Sequence, residues 1–247
     1  MVRPSKQSGM ATQQMTVSSV LRKYSPAQLQ QLIASLPSSE QNEALEIIAD
    51  WRCSIDSLHW AQNWTLTENP LYEQMGVPFR APLPKKEYFE HVFKEIAECQ
   101  KTNTPLFIPK SRDMVTSWSG MIWATHQAQW KSAFAVVQTM KEEKAKQLVD
   151  YAACLYRNQP DWLKARHPLK NASMTELEWA NGGRIMGVPQ GQHQIRTYKP
   201  TVYIMDEAAF LAEAEQCFSA VKASSSYVQI IGISSAAPGW FGNECTL

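Results

Sequence analysis

Two adjacent carboxylates follow an apolar stretch of the sequence. Asp206 and Glu207 come directly after Thr201–Met205, whose residue types predict a buried strand. Charged groups at the end of a buried strand cost free energy unless the charge has a task there. In nucleotide hydrolases an aspartate in this place holds Mg²⁺ and the next glutamate orients the attacking water. The pattern indicates such a site, and the alternative is a strand-end acid that caps the next helix.

A second polar group lies between a predicted strand and a predicted helix. At such a junction, backbone N–H groups and the helix N-terminus can bind phosphate. The segment contains no glycine, and Thr116 stands where a phosphate-binding loop usually has its lysine. Lys110, seven residues before Ser117, can still reach back over the phosphates as a point charge, and Ser117 keeps a hydroxyl for Mg²⁺. The alternative is an ordinary β–α turn with solvated side chains.

A third polar group follows the last apolar stretch. Ser234 and Ser235 come after Tyr227–Ile233, which predicts another buried strand. Small hydroxyl side chains at a strand end can sense a phosphate bound next door, although a Ser-rich loop that closes the strand is the alternative. The three groups follow one another in the order in which nucleotide-driven motors carry them. Since ligands bind at the carboxyl ends of parallel strands, the three groups are expected to meet at one edge of a sheet.

The elements that must position these residues alternate between strands and helices. Short apolar stretches separated by helical periodicity predict an α/β fold with a mainly parallel sheet. An Asn-Gly-Gly sequence predicts a hairpin turn between two of the strands. The predicted strands are 106–108, 133–137, 177–179, 184–188, 201–205 and 227–233, and the predicted helices are 88–97, 117–130, 142–156 and 212–223.

The N-terminal region differs in composition from the rest of the sequence. Its first 39 residues contain no Asp or Glu, so residues 1–24 are interpreted as a flexible basic arm. Ser25-Pro26 predicts a helix start, and a second helix is predicted over 39–53, which makes residues 25–68 a helical appendage or lid. The Pro-rich segment 69–86 predicts an extended connector at the start of the main domain, 69–247.

Composition excludes several classes of protein. The 24 basic and 23 acidic residues give a net charge of +1, so no global basic excess indicates nucleic acid binding. No apolar run approaches the roughly 20 residues that span a bilayer, and no membrane partner is expected. The five cysteines are widely spaced without a CxxC pair, which argues against a disulfide scaffold or a zinc site.

Five segments together resemble a known family. From about Trp60 to Glu244 the sequence is similar to the ATPase domain of the large terminase subunit, the motor that packages DNA into the capsids of tailed phages and related viruses. Phosphate-binding loops with the lysine at the entrance, as Lys110 is here, are known in that family. The segments that carry the resemblance are Pro-Lys-Ser-Arg-Asp-Met-Val-Thr-Ser-Trp (109–118), 177–191, Ile-Arg-Thr-Tyr-Lys-Pro (195–200), Asp-Glu-Ala-Ala-Phe (206–210) and Ile-Ser-Ser-Ala-Ala-Pro-Gly (233–239).

The resemblance implies a three-layer fold of the P-loop NTPase type, ATP and Mg²⁺ as cofactors, and a role for each matched residue. Lys110 would contact the β- and γ-phosphates, Ser117 and Asp206 would hold Mg²⁺, and Glu207 would be the catalytic carboxylate. Arg196, ten residues before Asp206, matches the arginine finger of the family, with a surface arginine or a contact to the DNA backbone as alternatives. The remaining implied contacts are the nucleotide-binding loop residues Ser111, Arg112, Asp113, Met114, Val115 and Thr116, and the coupling residues Ser234, Ser235 and Ala236.

The implied function is ATP-driven translocation of double-stranded DNA into a capsid in the cytoplasm of the infected host cell. The implied partners are DNA, the portal protein and the small terminase subunit, with a homo-oligomeric ring, a pentamer, on the capsid and a monomer in isolation. The C-terminal nuclease domain of large terminases is not expected in this chain, nor is nuclease activity. The alternatives are a helicase-like ATPase of another lineage and a nucleotide-dead scaffold that binds DNA or a portal.

Overall fold

The computed structural model describes residues 25–69, 72–73, 76–111, 116–191, 195–225 and 227–245. The described chain divides into two compact units, one ending at Asp56 and the other beginning at Ser57. The basic arm expected over residues 1–24 lies outside the described residues. No helix in the described ranges is both long enough and apolar enough to cross a membrane.

The first unit contains two helices, α1 (Pro26–Ala34) and α2 (Ser38–Ile55). Ser25 caps α1, because its Oγ accepts the Gln28 N–H at 3.3 Å while the Gln28 Oε1 accepts the Ser25 N–H at 2.8 Å. Such a reciprocal pair satisfies donors at the helix start that have no partner within the helix. Both predicted helices are therefore present in this unit.

The second unit alternates strands and helices along the chain. Its helices are α3 (Ser57–Asn63), α4 (Glu87–Thr102), α5 (Thr116–Lys131), α6 (Glu142–Arg157), α7 (Asp161–Arg166), α8 (Ala214–Ser224) and α9 (Trp240–Glu244), with a 3-10 turn at Ala208–Phe210. Its strands are β1 (Thr67–Glu68), β2 (Arg80–Ala81), β3 (Leu106–Lys110), β4 (Phe134–Thr139), β5 (Leu169–Ala172), β6 (Glu176–Trp179), β7 (Arg184–Pro189), β8 (Val202–Asp206) and β9 (Gln229–Ser235).

The central sheet has seven strands in the order β3-β9-β8-β4-β7-β6-β5. The five strands from β3 to β7 in this order are parallel, and β6 and β5 add an antiparallel edge. Parallel neighbours need long crossover connections, which the helices provide. The mainly parallel α/β sheet that the sequence predicted is confirmed.

The antiparallel edge begins with the predicted hairpin. β6 and β7 pair through Leu177 and Ile185, and Gly182 between them has a φ of +88°, which glycine adopts without steric cost. The sequence analysis did not predict the next strand, β5, or the short helix α7. The segment predicted as an extended connector includes β2, which pairs with β1 through Ala81 and Thr67.

Helices cover both faces of the central sheet, and side-chain alternation decides which residues each layer meets. On one face, a Cβ placed on Gly120 of α5 would lie 3.0 Å from Ile233 Cδ1 and 3.5 Å from Ile204 Cγ2. On the other face, the ring of Phe107 lies 5.9 Å from the rings of both Phe218 in α8 and Phe241 in α9. The sheet therefore lies between a layer with α5 and α6 and a layer with α8 and α9.

Candidate active site

Four neighbouring strands end at the same edge of the sheet. Lys110 at the end of β3 pairs with Ser235 at the end of β9, and Asp206 at the end of β8 pairs with Ile233. Gln138 of β4 pairs with Met205, so the next pair along these two strands is Thr139 and Asp206. The polar ends of β3, β9, β8 and β4 therefore lie side by side at the carboxyl edge, where α/β proteins bind ligands.

Side-chain alternation places several of these groups on one face of the sheet. Asp206 lies on the same face as Ile204, which packs near Gly120 of α5. Lys110 shares the face of Ile108, whose partner across the ladder, Ile233, packs near the same glycine. The side chains of Lys110 and Asp206 therefore leave the sheet on the face that the layer with α5 covers.

The first turn of α5 meets Asp206 directly. The Ser117 Oγ donates a hydrogen bond to Asp206 Oδ1 at 2.8 Å, although the two residues are 89 positions apart in sequence. Hydroxyl and carboxylate oxygens are the ligands that Mg²⁺ prefers. No group of three or more His, Cys, Asp or Glu among the described residues could hold a metal ion, so a Mg²⁺ here would need further oxygens from water or a bound phosphate.

Asp206 is a buried carboxyl group with opposing charges around it. Its exposed fraction is 7%, and burial raises its pKa above the usual value. The hydrogen bond from Ser117 lowers the pKa, the charge of Glu207 raises it, and the charges of Lys110 and Lys144 lower it. Because the effect of burial is larger than the effect of the neighbouring groups, the ionised carboxylate is destabilised in the ligand-free protein. A bound divalent cation would offset that cost.

Glu207 has an uncommon backbone conformation. Its φ of 57° and ψ of 39° lie in the left-handed region, which costs a residue with a Cβ roughly 1–3 kcal/mol. The 3-10 turn that begins at Ala208 follows at once, and the Ala209 N–H donates to the Ser234 Oγ at 3.2 Å. A residue of the predicted coupling segment therefore contacts the turn that holds Glu207.

A cavity of about 270 Å³ lies between α4 and the end of β3. Lys110, Thr116 and Ser119 contribute polar groups to its lining, and Tyr88 contributes an aromatic ring. The Ser119 Oγ is buried and makes no hydrogen bond within the described part of the chain. The cavity therefore extends from the predicted phosphate site toward α4 and has a hydroxyl donor that can bind a ligand.

Arg196 lies apart from this cluster. It is exposed and lines an open groove of about 480 Å³ with Glu215, Gln216 and Ser219 of α8, in the opposite helical layer. The structure joins Ser117 to Asp206 and places Lys110 on the same face and edge of the sheet, whereas Arg196 lies beside α8.

The other predicted site residues have varied placements. Thr116 is buried at the start of α5, Ser111 is exposed beyond β3, and Ala236 is exposed beyond β9. Four predicted loop residues lie outside the described residues, namely Arg112, Asp113, Met114 and Val115.

Sequence analysis missed two residues beside this cluster, Thr139 and Lys144. Thr139 ends an apolar strand, and Lys144 is the third residue of α6, where the positive end of the helix dipole disfavours a cation. That unfavourable position is the sequence signal that could have identified the lysine. The pairing of β4 with β8 places Thr139 level with Asp206, and Lys144 follows in the first turn of α6.

No protein-family model matches the sequence, and neither does any curated protein. Among solved structures, the HK97 bacteriophage large terminase matches 73% of this chain with a TM-score of 0.53 and 10% identity, over 37% of its own length. A mutant Thermus phage P74-26 large terminase ATPase domain matches 71% of this chain and 73% of its own, with 11% identity and a TM-score of 0.45. A second structure of that domain gives 10% identity and a TM-score of 0.44, with 71% and 72% covered.

The topology and the structural match lead to the same fold. The five parallel strands, the helical layers and the polar carboxyl edge agree with the P-loop NTPase-like architecture expected from the sequence. The match covers 37% of the HK97 protein, so it concerns only a part of that protein. This chain shares the fold of that part of the HK97 bacteriophage large terminase.

Proposed function

We propose that this chain is the ATP-hydrolysing motor domain of a large terminase, which drives double-stranded DNA into a viral capsid. The observation that carries the proposal is the hydrogen bond between Ser117 and Asp206 at the carboxyl edge, where Lys110 ends a neighbouring part of the sheet and Glu207 follows Asp206 in the chain. Phosphoryl transfer to water needs a cation for the phosphates, oxygen ligands for Mg²⁺ and a carboxylate that orients water. These residue types are present at one edge of the sheet.

Each residue has one role in the proposed reaction. Lys110 binds the β- and γ-phosphates, and the loop Ser111–Thr116 offers backbone N–H groups to them. Ser117 and Asp206 hold Mg²⁺, which neutralises charge on the phosphates when bound. Glu207 accepts a hydrogen bond from the attacking water and orients it toward the terminal phosphorus.

The contact between Ser234 and the Ala209 N–H supports the proposed coupling role of the segment Ser234–Ala236. A change in the turn after Glu207 would alter this hydrogen bond, and β9 would carry the change along the sheet. Hydrolysis at Glu207 and movement of the DNA-contacting surface would then be linked through one backbone donor.

The binding test compares the full chain with two lysine variants. Lys110→Gln should weaken Mg·ATP binding at least tenfold in calorimetry, because it removes a charge that pairs with phosphate. Lys94→Gln, at an exposed position of α4, is the matched control and should bind as the unmodified chain does. If the unmodified chain bound no Mg·ATP in the millimolar range, the nucleotide-dead scaffold would replace the motor.

The proposed assembly is a ring of five copies on a portal protein, in the cytoplasm of the infected cell, with a small terminase subunit as a further partner. Arg196 of one copy would enter the site of its neighbour, and an arginine finger contributes roughly 10³–10⁵ in rate in other NTPases. Isolated chains would be monomers with slow hydrolysis and without nuclease activity. DNA should accelerate hydrolysis in the assembled ring, whereas strand unwinding without a capsid partner would favour the helicase-like alternative.

Complementation tests whether Arg196 acts between copies. Arg196→Ala and Glu207→Gln chains should each be inactive in the ring, because each lacks one half of every site. In mixed rings, some sites combine an intact Glu207 with an intact Arg196 from the next copy, so activity should return. Rings that mix yet stay inactive would contradict an arginine that acts between copies.

A further inference from the structure

The junction between β4 and α6 lies beside the proposed nucleotide site and has no assigned role. Thr139, the last residue of β4, is fully buried, and its Oγ1 makes no hydrogen bond within the described residues. It follows the pair Gln138 and Met205, so it lies level with Asp206 on the neighbouring strand. A buried hydroxyl without a partner is uncommon in proteins and suggests a missing ligand or water.

Thr139 points to the same side of the sheet as Asp206. It shares the face of Val137, whose partner across the ladder is Gly187. A Cβ on Gly187 would lie 2.7 Å from the carbonyl oxygen of Ala145, so this face is the one that α6 covers. The hydroxyl of Thr139 therefore faces the layer from which Ser117 reaches Asp206.

A row of side chains on α6 connects the junction to the first turn of α5. The Lys144 Nζ donates to Gln147 Oε1 at 2.9 Å, and the Gln147 Nε2 donates to the Tyr151 hydroxyl at 3.3 Å. The ring of Tyr151 stacks on Trp118 with centroids 4.1 Å apart and planes 8° apart. Trp118 directly follows Ser117, so this row runs from the exposed Lys144 to the residue beside a proposed Mg²⁺ ligand.

The negative charges of the proposed nucleotide site would favour a second cation at the β4–α6 junction. Asp206 and Glu207 bring two negative charges, and a magnesium–triphosphate complex is itself negative, while Thr116 replaces the lysine that phosphate-binding loops usually carry. Lys144 is a cation at the start of the row of side chains that ends at Trp118, beside Ser117. Lys144 stays in the first turn of α6 although the helix dipole opposes it there.

We propose that the β4–α6 junction is part of the nucleotide site, in which Lys144 binds the phosphates as a second cation and the Thr139 hydroxyl donates to a phosphate oxygen or to a Mg²⁺-bound water. The proposal depends on the proposed function, since it assigns two further residues to the same site. It predicts that the junction recognises the triphosphate rather than the nucleoside.

The charge test measures ATP and AMP affinities of the full chain with Mg²⁺ by calorimetry. Lys144→Gln should lose about tenfold in ATP affinity, with AMP affinity unchanged, because only the longer phosphate chain reaches the second cation. Lys144→Arg keeps the charge and should stay within about threefold of the unmodified chain. Lys94→Gln removes the same charge from an exposed site on α4 and should change neither affinity.

Thr139→Val tests the hydroxyl at nearly constant shape. Because Oγ1 has no partner in the described chain, the variant should be as stable as the unmodified chain or more so, measured by urea unfolding. Its Mg·ATP affinity should nevertheless fall about threefold or more. A loss of stability without any loss of affinity would show that the hydroxyl is structural and would overturn its assignment.

The outcomes separate this inference from the proposed function. If the unmodified chain binds Mg·ATP and Lys144→Gln binds it equally well, the inference fails while the proposed function stands. Equal losses of ATP and AMP, or a loss of DNA binding with ATP affinity intact, would also overturn it, the latter by assigning Lys144 to DNA. A chain that binds no nucleotide at all would overturn both.

Discussion

The two faces of the central sheet treat buried polar groups differently. On the face covered by α8, the Tyr203 hydroxyl donates to Gln138 Oε1, and the Gln138 Nε2 donates to the carbonyl oxygens of Pro189 at 3.2 Å and Gly191 at 3.5 Å. On the face covered by α5 and α6, Thr139 has no hydrogen-bond partner within the described residues. Asp206 there accepts a hydrogen bond from Ser117 while it remains buried.

This difference separates a structural network from the candidate binding site on the same pair of strands. Buried polar groups normally find partners, and a satisfied network stabilises one conformation of the chain. The Tyr203–Gln138 network ties β8 and β4 to the end of β7, so these side chains have partners within the protein. The Thr139 side retains unused hydrogen-bonding capacity and a destabilised carboxylate, which a metal–phosphate ligand would satisfy.

The largest expected effect is at Glu207, which follows Asp206 in the chain. Glu207→Gln keeps the shape of the side chain but removes its charge, so ATP hydrolysis should fall by roughly 10²–10⁴-fold while ATP binding is retained. Single-turnover hydrolysis and calorimetry measure the two quantities. Glu90→Gln, at an exposed position on α4, is the control and should hydrolyse ATP normally. Unchanged turnover in Glu207→Gln would mean that the catalytic carboxylate lies elsewhere.

A smaller effect is expected at Tyr203, on the face that α8 covers. Tyr203→Phe leaves the buried Gln138 Oε1 without its donor, which should lower the free energy of unfolding by about 1–3 kcal/mol. Urea unfolding measures this loss, and Mg·ATP affinity should not change. If Tyr203→Phe weakened ATP binding while the stability of the chain stayed normal, the proposed difference between the two faces would be wrong. The face that α8 covers would then belong to the nucleotide site.

The smallest expected effect is the change in unfolding temperature that Asp206→Asn causes in the ligand-free chain. The folded pKa of Asp206 is raised, so the unmodified chain is most stable when this carboxyl is protonated, and stability declines as the pH rises through that raised pKa. Asp206→Asn removes the ionisable group and should unfold at a higher temperature than the unmodified chain at neutral pH, with a smaller difference at acidic pH. Calorimetric scans at both pH values measure this.

The same variant should lose the stabilisation that Mg·ATP gives to the unmodified chain, because it removes a proposed Mg²⁺ ligand. Asp161→Asn is the control, since that carboxylate is exposed and forms a surface ion pair with Lys164. A lower unfolding temperature for Asp206→Asn at neutral pH would show that the protein stabilises the ionised carboxylate. That result would contradict the raised pKa of Asp206.

Local sequence patterns predicted most of the long helices and strands, but they predicted less well the residues at which these begin and end. The strand predicted over 106–108 extends to Lys110, because Pro109 and Lys110 continue to pair with β9. β5, with the sequence Leu-Lys-Asn-Ala, has no apolar alternation, and it forms because β6 offers an edge to pair with. Helix α7 has only six residues, too few to show a helical period.

The sequence by itself determined the α/β class, the capped helix at Ser25 and the presence of polar residues after three apolar strands, because these features depend on neighbours in the chain. The tertiary structure decided which of those residues meet. Ser117 reaches Asp206 across 89 positions, Thr139 lies level with Asp206 on the next strand, and Arg196 lies in the opposite helical layer. Strand order and register set these distances, and they arise from packing between remote segments, which no local periodicity encodes.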